Sequence, residues 1–308
     1  MQDINSSNDN NNEVDIKELF QILLISKWII VSITAFFSVF GIVYSLLLPN
    51  IYESRALLAP SSSNESSGLI QNYGSLANLA GIDISEDSEN NAAQAIEKIK
   101  TLSFFESNIL PNIYLPDLMA YKSWNSETNT STYDDKIFDK TSNTWVQKFS
   151  STQKLNPSVQ ESFDVFIKNH LNISTNKKNN FVTVKIQHQS PYIAKEWTKL
   201  SVDQINSLYR KKDKNKAERA SNYLNMLLAE TNLVEIKEVL ATLLQQETKK
   251  LTLIEANEYY VYEFIDPPAV MEKKSQPQRA LICILAALFG GMSGVIFVFV
   301  RHYLFADK

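Results

Sequence analysis

Two histidines, one cysteine, a scatter of carboxylates and a basic run are the residues whose types invite a chemical reading. His170 and His188 lie on the arms of an expected strand pair and could approach one another. No Asp or Glu stands at ligand spacing beside them, and a zinc site needs three or four such donors. A solvated or hydrogen-bonded pair is therefore expected. Cys283, the only cysteine, falls inside an apolar run, which argues against a Cys/His nucleophile pair and forbids an internal disulfide. The acidic cluster Asp83, Glu86, Asp87 and Glu89 has the wrong spacing for an EF-hand and reads as a solvated loop or helix start. No glycine occurs between Gly81 and Gly290, so phosphate-cradling loops of the P-loop or dinucleotide kind are excluded there. There is no G-x-S-x-G elbow either. The expectation is a protein with no catalytic residue, no cofactor and no metal.

The basic run, Arg210, Lys211, Lys212, Lys214 and Lys216, has two readings. It is either a solvated helix face or an electrostatic contact with an anionic glycan or a neighbouring subunit. Nucleic acid is not an expected partner, because the net charge of the 308-residue chain is -4.

The elements that would position these residues begin with two apolar runs. Residues 29–48 carry no charge over a length that reaches about 30 Å as a helix, enough to cross a hydrocarbon core. Lys27, Trp28 and Tyr44 suit its interfaces. The run is too long for the core of a signal peptide, and no small-residue cleavage site follows. Residues 280–300 form a second uncharged run between Arg279 and Arg301. Both tails, 1–28 and 301–308, then share one side, and residues 49–279 form a domain on the other. The Lys and Arg count is balanced and does not orient the chain, although short tails favour export of the large segment. Gly290, Gly291 and Gly294 lie in the second run, and Gly290-x-x-x-Gly294 offers a small-residue face for helix packing or self-association. The Asn- and Ser-rich first dozen residues have almost nothing apolar to bury and read as disordered.

Between the runs, strands are expected at 52–58, 170–175, 181–187 and 259–265, the last ended by Asp266-Pro267-Pro268. An amphipathic helix is expected over 91–105, and a polar surface loop over 123–136. From Pro191 to about Glu230 neither glycine nor proline interrupts, which allows one helix of roughly 60 Å. Its middle, Arg210 to Lys216, is without apolar residues and reads as projecting into solvent. A helix from Leu233 to about Ala256 returns antiparallel to it. The expected fold is α+β: terminal transmembrane helices, a small mixed sheet base, and a long projecting helical hairpin over about 191–256.

In this order the residues resemble the Wzz-type polysaccharide chain-length determinants, the class 1 polysaccharide co-polymerases. Val14-Asp15-Ile16-Lys17-Glu18-Leu19 with Lys27-Trp28-Ile29 is similar to the family's cytoplasmic lead-in. Ser75 to Ile82 is similar to its LAGI segment, and Ser190-Pro191 through Asn206 to the start of its long helix. Glu258 to Val261, Asp266-Pro267-Pro268 and Pro277-Gln278-Arg279 resemble its last strand, proline segment and entrance to the second span; Met271 stands where members often carry another proline. The resemblance implies an inner-membrane protein with cytoplasmic tails and a periplasmic domain. It also implies a ring-like homo-oligomer that acts with a polysaccharide polymerase on a lipid-linked glycan, such as lipopolysaccharide O-antigen, without being an enzyme. Related proteins with a fused tyrosine kinase exist, and the seven residues after Arg301 leave no room for one here. Rival readings are a sensor, which needs an output module, an adaptor of an export system, and a glycan-modifying enzyme.

Overall fold

The computed structural model describes residues 16–61, 87–146, 148–149, 155–257 and 259–305. The first fifteen residues, the Ser75 to Ile82 segment, Asp83, Glu86 and Glu258 lie outside them. In chain order the elements are α1 (Ile16–Ile25), α2 (Lys27–Leu47), β1 (Tyr52–Pro60), α3 (Asp87–Ile99), α4 (Leu102–Phe104) and α5 (Leu115–Met119). Next come β2 (Tyr121–Asn125), β3 (Thr130–Tyr133), β4 (Phe138–Asp139), β5 (Thr144–Trp145), α6 (Val159–Val165), β6 (Leu171–Thr175) and β7 (Val182–His188). The chain ends with α7 (Pro191–Glu230), α8 (Val234–Ala256), β8 (Tyr262–Asp266) and α9 (Arg279–Phe305). Two units result: residues 1–50 with 275–308, and Ile51–Lys274.

In the first unit α2 and α9 are, among the described residues, the two helices long and apolar enough to cross a membrane. The α2 hydroxyls of Ser32, Thr34 and Ser38 donate back to the carbonyls of Trp28, Ile30 and Thr34, each at 2.8 Å, so these three donors do not need water. The two helices pack through their small residues. A Cβ on Gly290 would lie 2.8 Å from that of Phe37, one on Gly294 would lie 3.2 Å from the Ile30 Cα, and one on Gly41 would lie 2.5 Å from the Ala286 Cβ. Only Gly291 has room, its added Cβ meeting Thr34 Oγ1 at 3.8 Å. The glycine face offered for self-association is therefore filled by the chain's own first span. The region read as a tail also contains α1, whose apolar residues recur at helical spacing and whose Ile22 is buried.

In the second unit the sheet has the order β6-β7-β1-β8. All three pairings are antiparallel, not mixed, because each strand pairs with a neighbour running the other way: β6 through a hairpin, β8 by return from the hairpin helices. Val182, Val184, Ile186 and His188 alternate inward along β7, opposite Ala56 and Leu58 of β1. They meet Trp197, Val202 and Ile205 of α7 and the aromatic side chains of Phe104, Phe105 and Phe166 in one core. The last strand begins three residues later than expected.

Two further expectations change. The helix expected over 91–105 starts at Asp87 and stops at Ile99; Thr101 then caps a new turn by accepting from Phe104 N at 3.3 Å. The expected loop 123–136 is the β2–β3 hairpin. Its strands pair Trp124 with Ser131 and Asn125 with Thr130, and its turn uses Asn129 at φ 48°. Hydroxyls bind across it, Ser123 with Thr132 at 2.7 Å, so a polar sequence makes a sheet without burying much apolar surface.

His170 and His188 do meet, stacked at 5.5 Å between ring centroids, with Trp197 and Tyr121 edge-on to His188. Both are hydrogen-bonded; His188 is buried and His170 half-buried. His188 Nδ1 accepts from Ser190 N at 2.9 Å, so Nε2 carries the proton and donates to the Asp117 carbonyl at 3.0 Å. His170 donates from Nδ1 to the Gln187 carbonyl at 2.6 Å. Burial, with His170 beside it, pushes His188 down to about 3, and burial lowers His170 as well. His188 is therefore neutral in the fold at neutral pH.

Three predictions follow from these contacts. Gly290→Leu overpacks the helix seam. In a Cys283→Ser background, Thr34→Cys and Gly291→Cys should form an internal disulfide that Gly290→Leu abolishes; retention of the cross-link would show that the glycines are not the seam. Stability is full above the ordinary histidine value and falls as pH drops from about 6.5 toward 3, because only the unfolded chain then takes up the protons. The melting temperature of the wild type should drop more between pH 7 and pH 5 than that of His188→Gln, and equal drops would remove the histidine from this role. Burial raises Asp117 and acts in the opposite sense, but it is common to both proteins. Finally, Asn206→Leu leaves the amides of Val261 and Tyr262 without an acceptor, at a cost of about 1–3 kcal/mol for each. Asn206→Asp, which keeps the acceptor, should unfold at a higher temperature than Asn206→Leu; the reverse order would assign the loss to packing.

Candidate functional site: the helical hairpin and its foot

Helix α7 is 40 residues long, with Pro191 in its first turn, and runs to the expected ends. Its first half lies on the sheet, and Ala194, Trp197, Thr198, Ser201, Val202 and Ile205 are buried there at helical spacing. Thr198 satisfies its hydroxyl on the Ala194 carbonyl at 2.7 Å. The second half pairs with α8, entered through Thr231-Asn232-Leu233. Leu240 and Ile254 of α8 are buried along that seam.

The foot of the hairpin is a line of polar side chains on α7. Asn206 accepts from the amides of Val261 and Tyr262 at 2.8 and 2.9 Å and donates to the Tyr262 carbonyl at 3.0 Å. One turn on, Arg210 donates to the Asn257 carbonyl. Asp213, also buried, accepts from Tyr260 Oη at 2.7 Å and from Asn91 Nδ2 at 3.3 Å. Tyr262 Oη in turn donates to the Ala92 carbonyl at 2.5 Å, and burial raises this phenol beyond its usual range. These bonds hold Tyr260 and Val261 to the helix, which is why β8 starts only at Tyr262.

The basic run is therefore not charged and solvated all round. Its inner face carries Asp213 and the Arg210 contact, because there the run passes between α3 and the end of α8. The outer face fits the expectation better. Lys211, Lys212 and Lys216 are exposed, and Lys212 Nζ lies 5.2 Å from the Tyr209 ring centre. Lys214 is half-buried and bridges to Glu255 at 2.5 Å, which raises the lysine and lowers the carboxylate. Toward the tip, apolar side chains stand in the open: Tyr223, Met226, Leu233, Val234, Ile236 and Val239. Sequence reading passed over this apolar strip because its residues fit a helix period without saying which face is covered.

The proline segment divides. Pro267 is exposed and Pro268 buried, and the neighbouring Ala269 carbonyl accepts from Ser54 Oγ at 2.9 Å. Pro277, in a cis bond, belongs to the helical unit, where Arg279 donates to Asn50 Oδ1 at 3.1 Å. Among the described residues no three metal-ligating side chains come together.

The geometry can be set beside known proteins. Residues 12–108 match the family described as chain length determinant protein, Wzz, and residues 227–303 match the one described as "G-rich domain on putative tyrosine kinase", GNVR. Among solved structures the chain is similar to a full-length bacterial polysaccharide co-polymerase, at 14% identity and TM-score 0.42, over 94% of this chain and 98% of that one. It is also similar to a fragment of WzzB, the polysaccharide co-polymerase from Salmonella Typhimurium, at 12% identity and TM-score 0.34, over 74% of this chain and 100% of that one. No curated relative matches the chain. The first match, at the N-terminal end of the chain, is to the Wzz chain-length determinants, and the second, at its C-terminal end, is to the GNVR domain; the residues between them match neither.

Proposed function

We propose that this chain sets the length of a surface polysaccharide, lipopolysaccharide O-antigen being the first glycan to test, as a non-enzymatic scaffold in the bacterial inner membrane. In this reading both tails are cytoplasmic and residues 51–274 are periplasmic. Copies of the chain assemble into a ring and act on the polymerase and its lipid-linked glycan. The observation that carries the reading is the hairpin itself. Half of α7 leaves its sheet and is covered chiefly by α8, so Ile236, Val239 and Met226 remain open to other chains. The outer lysines Lys211, Lys212 and Lys216 give that surface positive charge, suited to an anionic glycan or an acidic neighbour.

The second reading is an adaptor or sensor subunit of a polysaccharide export system. One experiment separates the two. Deleting the gene should turn a clustered length distribution of surface polysaccharide, read on a gel, into a smooth ladder biased to short chains. Loss of export with no change in ladder shape would favour the adaptor. In the complemented strain, Val239→Asp with Ile236→Asp should lower the assembly mass in detergent and broaden the ladder. Exchange of Lys211, Lys212, Lys214 and Lys216 for Gln should leave the domain folded while shifting the modal length. A normal ladder from both variants would detach the hairpin from length control.

A further inference from the structure

The sheet and α7 give the Ile51–Lys274 unit two unlike ends. Tyr52 opens β1 and pairs with His188, the last residue of β7, and α7 starts at Pro191 and runs away from that end. The chain also arrives at that end from the apolar helix α2. Only Leu48, Pro49, Asn50 and Ile51 separate Leu47 from Tyr52, so covalent geometry holds Tyr52 within about 18 Å of the last span residue.

Three aromatic residues from three elements gather there. The Tyr52 ring stands edge-on to Trp124 of β2 at 5.5 Å, and Trp124 lies 6.0 Å from Tyr192 in the first turn of α7. Tyr192 is 49% exposed, and Tyr52 and Trp124 are partly exposed. Isolated surface aromatics need no explanation, but these three are in contact. Trp124 Nε1 donates to Asn129 Oδ1 at 2.9 Å, so the indole does not need water for its only donor. Lys122 lies two residues before Trp124 in β2, at the register shift between Tyr121 and Ser123, and Lys195 lies one turn after Tyr192; both are exposed. Tyr and Trp flanked by Lys is the composition that the headgroup layer of a bilayer favours, with rings at the apolar boundary and ammonium groups at lipid phosphates.

We propose that Tyr52, Trp124 and Tyr192, with Lys122 and Lys195, form a peripheral anchor that seats this end of the domain in the headgroup layer of an anionic lipid surface. The two spans fix where the chain crosses the membrane, and the anchor fixes the tilt of the domain that α7 extends. The proposal does not depend on the length-control reading, since it would hold for an adaptor equally.

The test uses the full chain in nanodiscs of phosphatidylethanolamine and phosphatidylglycerol, with and without lipid carrying a headgroup nitroxide. The fluorescence of Trp124 is read as the difference between wild type and Trp124→Phe. Quenching of that difference signal by the nitroxide, weakened by Lys122→Glu with Lys195→Glu, is the expected result. A difference signal that the nitroxide leaves untouched overturns the anchor. As a second reading, Asn125→Cys or Asn232→Cys in the Cys283→Ser background carries a fluorescent label. Quenching at position 125 but not at the hairpin link, position 232, is expected, and equal quenching at both, or none at 125, overturns it.

Discussion

One side chain decides how the two ends of the domain meet. Asn206 sits in the middle of the longest helix and holds both amides and one carbonyl of the returning chain at Val261 and Tyr262. A buried backbone without partners costs more than its bonds return, so the returning segment has one favourable place to stop. With Tyr262 fixed there, β8 lies beside β1, and Leu58 pairs with Phe264 across a register shift. Arg210 and Asp213 extend the line by one and two turns, and Tyr262 carries it to the Ala92 carbonyl. The same contacts set how much of α7 is base and how much is projection. Residues before Asn206 pack on the sheet; those after Asp213 have chiefly α8.

The legible parts of this fold are those fixed by local physics. The ends of α7 follow from Pro191 at the start and a run free of glycine and proline. The hairpin of β6 and β7 follows from period-two alternation around a polar turn. What escaped depended on partners far along the chain. Asp213 in a basic run reads as one more charge, and only the arrival of Tyr260 and Asn91 makes it a buried acceptor. The β2–β3 hairpin escaped because its stabilising groups are Ser and Thr hydroxyls, which carry no hydrophobic signal. The histidine pair was legible as a pair, but the burial of His188 was not, since its cover comes from Trp197 and Tyr121 on other elements.

The glycines show a different limit. A small-residue face states that two backbones approach closely, but not whose backbones they are. Here Gly290 and Gly294 receive Thr34, Phe37 and Ile30 of the same chain, and Gly41 receives Ala286 in return. Toward the tip of the hairpin the chain leaves Met226, Ile236 and Val239 exposed.

Pairing of the spans also bears on how the sheet closes. Leu58 and Phe264 are partners in the sheet although about 200 residues separate them. Closing so long a loop is entropically costly and slows folding when no shorter route exists. The glycine seam supplies a shorter route. Once α2 and α9 are paired, β1 and β8 are joined through the helices by two short linkers, Leu48 to Ile51 and Pro267 to Gln278. By the logarithmic dependence on loop length, replacing the long loop by under about 20 residues lowers the closure cost by roughly 2 kcal/mol. The contact between the neighbouring strands β1 and β8 is then closed over the shorter path. Asn206 fixes the register that this proximity alone would leave open.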